Sequence, residues 1–302
     1  AGEPGDSFGV HLGGAKAGIW SDFATGAAGD ALDLVAAVFG IDLPGALAWA
    51  RRWLGIDQGE AAAPQQRQAP PPPHQAPNLD AEAAGRQDRA LDIWRTAVEE
   101  IASTPAEVYL CSRGLEPARL YSLHGEGRWP ATLRYSERAA MDPTRECRAL
   151  VIAVHGADSG LVRAVHRILL HPNGLAVRDD RGRKRKLALG PIAGNAARFD
   201  YWPDGRWGIA EGTETALAAY VLTGIPTWSA VSAGNMARIV PPSWARHVTI
   251  FADRDPAGMG AAAEALRRFR KQPNIETVKI LGAAVEGEDV LDLLARRGRH
   301  AR

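Results

Sequence analysis

The carboxyl-terminal third of the chain alternates short apolar runs with stretches of helical spacing. Residues 207–210, 226–231, 247–252 and 276–281 read as strands; 213–222, 258–270 and 289–296 read as helices, with Thr213 as an N-cap. Strands that alternate with helices predict a parallel sheet with helical crossovers. Upstream, 149–154 and 161–170 are β-rich runs separated by Gly156, Asp158, Ser159 and Gly160, and His171-Pro172-Asn173-Gly174 marks a turn. This middle region reads as a small mixed sheet. Before it, 81–101 is a helix with Leu91, Trp94, Val98 and Ile101 on one stripe, and a short helix starts at Pro105 and is interrupted by Gly114. At the amino end, Leu32, Val35, Ala36 and Phe39 share a helix face that stops at Gly40, and a second helix runs from Pro44 through Trp53.

Residues 61–77 are almost entirely Ala, Gln and Pro and include four consecutive prolines, Pro70 to Pro73. Such a segment cannot bury a core and tends toward extended polyproline structure. The expected organisation is therefore a small module at 1–57, a linker at 58–80, a helical and basic subdomain at 81–205, and an α/β domain at 206–302.

Composition narrows the class. The chain of 302 residues is 46% hydrophobic and 24% charged, as in ordinary soluble domains, and no apolar run is long enough to span a bilayer. No basic stretch leads into an apolar core at the start, so no signal peptide is expected. Two distant cysteines, Cys111 and Cys147, build neither a disulfide framework nor a cysteine zinc site, and a reducing, cytoplasmic setting fits. A net charge of +1 conceals a basic stretch in which Arg178, Arg181, Arg183, Lys184, Arg185 and Lys186 face only Asp179 and Asp180. It is either a solvated loop or a phosphate-contacting patch.

Candidate chemistry lies at the strand ends. The first strand of the α/β domain ends in Glu211-Gly212 and the third in Asp253-Arg254-Asp255, followed by Pro256-Ala257-Gly258. In a 2-1-3-4 sheet these two strands are neighbours where strand order reverses, so their terminal acids would converge. Asp253 and Asp255 are two apart, which places both on one side of an extended backbone. Clustered carboxylates need a counter-charge, and a magnesium ion, which takes one or two carboxylates with waters and substrate phosphates, supplies it. A helix starting near Gly258 adds its positive pole. The bland alternative for such an acid pair is helix capping. No Walker or GxGxxG glycine loop is present, and the histidines form no HExxH pattern.

The combination of 208–212 (Gly-Ile-Ala-Glu-Gly), then Glu214-Thr215-Ala216-Leu217, then 250–258 (Ile-Phe-Ala-Asp-Arg-Asp-Pro-Ala-Gly), resembles the Toprim domain of DnaG-type primases, topoisomerases and OLD-type nucleases. The segment 287–294 is similar to that family's closing acidic segment, with Leu291 where primase-like members often have Asn. The resemblance implies a Toprim sheet flanked by helices, catalysis by Glu211, Asp253 and Asp255, and magnesium or manganese held by these three with Asp289. Upstream, 161–170 and 184–191 resemble the basic subdomain of phage- and plasmid-type primases, which implies that Arg163, His166, Arg167, Lys184, Arg185 and Lys186 face the template and nucleotide phosphates. Residues 8–10 and 20–35 resemble the second half of a primase zinc-ribbon in which Asp22 and Thr25 stand at cysteine positions. No zinc is expected there; Trp20, Phe23 and Lys16 either fill a small core or stack on single-stranded DNA.

These resemblances imply a primase-like nucleotidyltransferase acting on single-stranded DNA and nucleoside triphosphates in plasmid, phage or mobile-element replication, with a separate helicase as partner and no membrane. A Toprim nuclease and a non-catalytic DNA-binding module are the alternatives. A haloacid-dehalogenase-type phosphatase fits less well, because Ala257 stands where that family needs Thr or Val.

Overall fold

The computed structural model describes residues 8–12, 17–22, 27–55, 79–117, 120, 129–141, 145–157, 159–199, 204–253, 255–282, 290, 291 and 294. The chain divides into two compact units, 1–78 and 79–302.

In the first unit, β1 (Phe8–Val10), β2 (Trp20–Asp22) and β3 (Ala27–Gly29) form an antiparallel sheet in that order. Helix α1 (Ala31–Phe39) begins with a capping box: Asp30 accepts from the amides of Leu32 and Asp33, and Asp33 accepts from the amide of Asp30. Gly40 closes it in the left-handed region, and α2 (Leu43–Trp53) follows, capped by Asp42. Trp20 is buried against Phe8, with ring centroids 5.5 Å apart, so of the two roles read for it the core role is the one observed. Lys16, Phe23 and Thr25, and the side chain of Asp22, lie outside the described residues.

In the second unit, α3 (Leu79–Thr96) and α4 (Pro105–Ser112) precede an antiparallel sheet, β4 (Leu133–Ala140), β5 (Glu146–His155), β6 (Val162–Leu170) and β7 (Lys186–Leu189), paired in chain order. The pleat sorts its side chains. Ala149, Val151, Val165 and Leu169 pack on Ala90, Ile93 and Trp94 of α3. Leu150, Ile152, Ile168 and Leu170 face the other way, toward Tyr109 and Leu110 of α4 and the carboxyl-terminal domain. Two sequence expectations need correction. Helix α3 stops at Thr96, because Val98 leaves it to pair with Tyr135. Strand β4 was not expected: a register shift between Ser136 and Ala139 breaks the alternation that would have marked it.

The carboxyl-terminal sheet contains β8 (Arg206–Ala210), β9 (Thr227–Ser229), β10 (His247–Ala252) and β11 (Thr277–Gly282), all parallel in the order β11-β10-β8-β9. In chain order this is the expected 2-1-3-4 arrangement, with β8 and β10 adjacent. Helix α5 (Thr213–Thr223) covers one face, α6 (Ala233–Met236) follows β9, and α7 (Pro256–Phe269) covers the second face, where Ala262, Ala265 and Phe269 pack on Trp207, Ile209, Val248 and Ile250. Helix α5 is buried from Thr213 to Ala219 because it lies between the two sheets, with Ala216 and Leu217 in one core with Ile152, Ile168 and Phe251. Its N-cap is Gly212, not Thr213. The segment carrying Ala196 and Ala197 ties the two sheets together, bridging His155 at the end of β5 and Ser229 of the edge strand β9. No single described helix is long and apolar enough to cross a membrane.

Candidate metal and phosphate cleft

The carboxyl ends of β8 and β10 open into a cleft of about 160 Å³ lined by Arg113, His166, Lys184, Lys186, Glu211, Gly212, Glu214, Thr215, Val231, Asp253 and Leu291. Acids from the parallel sheet and cations from the antiparallel sheet therefore face each other across it.

The acids come from loops that end adjacent strands. Glu211 follows Ala210, which pairs with Phe251 two residues before Asp253. Burial and the nearby charge of Asp255 push the Glu211 carboxyl above the usual range, although the amide of Ala233 and the charge of Lys186 oppose this. Asp255 is exposed and caps α7, its Oδ1 accepting from the Gly258 amide at 2.7 Å. The capping role weighed for this acid pair is thus real for Asp255, and α7 begins at Pro256 instead of near Gly258. Gly258 is needed for a second reason: a Cβ there would stand 2.6 Å from the backbone oxygen of Asp253. Gly258→Ala is expected to cost about 1–3 kcal/mol through this clash and to displace Asp253; chemical denaturation measures the loss. Val231 closes the cleft with φ 72°, a left-handed conformation that costs a β-branched residue roughly 1–3 kcal/mol.

The cations come from the pleat of β7. Lys186 pairs with Ile168, and Ala188 with His166, so their side chains share the face turned toward α5; Lys184, two residues before Lys186, joins them. Both ammonium groups bond Glu214 of α5, Lys184 to Oε1 and Lys186 to Oε2, each at 2.7 Å. The Tyr109 hydroxyl donates to Oε1 at 2.6 Å, and Arg113 Nε lies 3.4 Å from the same oxygen. Burial alone would raise the Glu214 carboxyl, but the two lysine charges and their hydrogen bonds hold it well below the usual range. Burial and the neighbouring Arg113 and Lys186 cations lower Lys184 more than Glu214 raises it, since three cations share one carboxylate. Burial and the Glu214 charge push the Tyr109 phenol far up, so it stays a donor.

The remaining basic candidates are distributed differently. Arg167 is buried on the opposite face of β6 and donates to the Ala140 carbonyl. Arg163 falls at a register slip between β5 and β6, where strand alternation is broken, and Arg185 has the parity of Leu187, which packs toward α3. His166 is buried and lines the cleft. Asp289 lies outside the described residues, and Leu291 is a buried wall of the cleft. Glu214, Tyr109, Arg113 and Val231 were not assigned roles from sequence. Glu214 had a signal: it is the one charged residue in a helix that is otherwise Thr, Ala, Leu, Val and Tyr, and a buried charge requires partners.

Residues 206–300 match the family model described as the Toprim domain. The carboxyl-terminal third of the chain is a Toprim domain. Residues 84–199 match a second family, described as a domain of unknown function. Among solved structures, the zinc-binding and RNA polymerase domains of the Aquifex aeolicus primase are similar at 16% identity and a TM-score of 0.44, over 99% of this chain and 75% of that one. A DNA primase domain from Pseudomonas aeruginosa is similar at 16% identity and a TM-score of 0.44, over 72% and 78%. The primase fragment of the bacteriophage T7 primase-helicase protein is similar at 15% identity and a TM-score of 0.42, over 68% and 76%. No curated protein sequence matches the chain.

Carboxylate oxygens suit a hard divalent cation, and burial together with the charge of Asp255 raises the Glu211 carboxyl, which a nearby cation would oppose. Among the described residues, no three His, Cys, Asp or Glu side chains form a ready metal cage. The arrangement fits magnesium, which needs only one or two carboxylates when substrate phosphates and water complete its shell. The pH linkage of Glu211 follows. A carboxyl raised in the folded state contributes stability that is full below its unfolded value, about 4.3, and is lost as pH rises through the folded value. In metal-free buffer at pH 7, Glu211→Gln is therefore expected to raise Tm, with the gain fading toward pH 4. Added magnesium should stabilise the parent chain more than the variant; thermal melts with and without the metal check both.

Proposed function

We propose that the chain is a primase-like nucleotidyltransferase that makes short primers on single-stranded DNA. One observation carries the reading: Lys184, Lys186 and Arg113 line the same cleft as Glu211 and Asp253. Phosphate-binding cations opposite metal-binding acids are what transfer of a nucleotide from a triphosphate requires. Glu211, Asp253 and Asp255 would hold magnesium or manganese, with Asp289 as a further ligand, and the ion would orient the phosphates and neutralise charge on the leaving pyrophosphate. Lys184 and Lys186 each spend one hydrogen bond on Glu214 and keep the others for phosphate oxygens. As the alternative to serving as a third ligand, Glu211, whose carboxyl burial pushes above the usual range, would accept the proton of the attacking sugar hydroxyl. Arg163 and Arg185 belong to the template side of this proposal, as contacts to the DNA backbone without base reading, whereas Arg167, buried and bonded to the Ala140 carbonyl, is left out of it. Proposed partners are the template strand, nucleoside triphosphates and a helicase on a separate chain, in the cytoplasm of a cell that replicates a mobile element.

The test is de novo synthesis on single-stranded DNA with labelled nucleotides and magnesium. Short labelled products support the proposal. Metal-dependent shortening of the template without added nucleotides would replace it with the nuclease reading. DNA binding that survives Glu211→Gln, with neither reaction, would leave a binding module.

A further inference from the structure

His166 lines the cleft but takes no part in the Glu214 ion-pair network. It is 4% exposed, and its Nδ1 is sealed from solvent with no hydrogen-bond partner among the described residues. Burial and the charge of Lys186 lower its pKa to about 3, with Glu214 opposing and Arg167 adding to the shift, so the ring is neutral. A neutral imidazole offers one N–H donor and one bare nitrogen acceptor. It adds nothing to the attraction of phosphates, which the three cations already supply. A hydroxyl, which can both donate and accept, would satisfy this nitrogen in either tautomer once the ring turns it toward the cleft, whereas a phosphate oxygen satisfies only a donor.

The size of the cleft points to the same group. At about 160 Å³ it is smaller than the roughly 300–1,000 Å³ of pockets that engulf whole ligands, so a nucleotide whose phosphates sit on Lys184 and Lys186 would enter it only in part. With the triphosphate on Lys184 and Lys186, the next group along the substrate is the sugar. We infer that His166 is a specificity-determining residue that hydrogen-bonds a ribose hydroxyl of the incoming nucleoside triphosphate. The inference rests on the nucleotidyltransferase reading and adds to it the part of the substrate that this side chain recognises. A site built to hydrogen-bond a hydroxyl rejects the analogue that lacks it, because the buried polar group is then left unpaired.

The test is equilibrium binding of ATP, 2′-deoxy-ATP and 3′-deoxy-ATP to the full chain in magnesium without template. The parent chain is expected to bind ATP about 10- to 100-fold more tightly than one of the two analogues, the unsatisfied-group penalty expressed as affinity. His166→Leu should weaken ATP to the level of that analogue while leaving the analogue's affinity unchanged. His166→Asn, which keeps a donor and an acceptor, should restore part of the preference, and it carries the test alone if the Leu variant does not fold. Equal affinity of the parent chain for all three ligands, or a preference that survives in His166→Leu or disappears in the Asn variant as fully as in the Leu variant, would overturn the inference while sparing the nucleotidyltransferase reading. A parent chain that binds no triphosphate would overturn that reading, and the inference with it.

Discussion

Glu214→Ala is expected to destabilise the second unit by about 3 kcal/mol, the lower end of the roughly 3–5 kcal/mol lost when one partner of a buried ion pair is removed. Lys184 and Lys186 retain 20% and 36% side-chain exposure and recover some hydration, which places the effect at that end. The buried Tyr109 hydroxyl also loses its acceptor. Glu214→Gln keeps the shape and one acceptor, so it should cost less, and the difference between the variants isolates the packing contribution. Because the folded carboxyl is depressed, its stabilisation is present above the unfolded value of about 4.3 and is lost as pH falls toward the folded value. The stability gap between the parent chain and Glu214→Gln should therefore be flat from about pH 6 to pH 8 and shrink below about pH 4. Urea unfolding across that range measures it; a gap that widens with acid would mean that Glu214 is not ionised in the fold.

The second large effect is on chemistry. Asp253→Asn is nearly isosteric and leaves β10 intact, yet it is expected to lower kcat for the magnesium-dependent reaction by roughly 10²–10³-fold, the scale of losing one element of preorganised electrostatic stabilisation. Stability should change little, since Asp253 sits in the loop after β10 and Ala252 ends the strand. A variant that folds normally and keeps parent-level kcat would remove Asp253 from the site.

The fold and the site were legible to different degrees in the sequence. The parallel order could be read because β8 and β10 are continuous apolar runs ending in acid, and crossover helices force strands to lie parallel. The pairing of acids across β8 and β10 followed from that order. The cation side was less legible. Lys184-Arg185-Lys186 reads as one basic block, and only the pleat separates Lys184 and Lys186, which reach Glu214, from Arg185. His166 and Arg167 are separated by the same alternation. Tyr109 and Arg113 stand about one hundred residues from Glu214 along the chain, and their convergence is a product of packing that no local pattern encodes. Strand β4 escaped notice because its bulge spoils the period of two, and Val231 because strained backbone has no sequence signature.

The central claim is that the acids at the ends of β8 and β10 hold a divalent cation. Its most direct test is calorimetric titration of manganese into the parent chain and into Asp253→Asn and Glu211→Gln. The parent chain should bind the ion, and both variants should bind it at least about tenfold more weakly. Binding of equal strength in all three proteins would place the ion elsewhere and contradict the account.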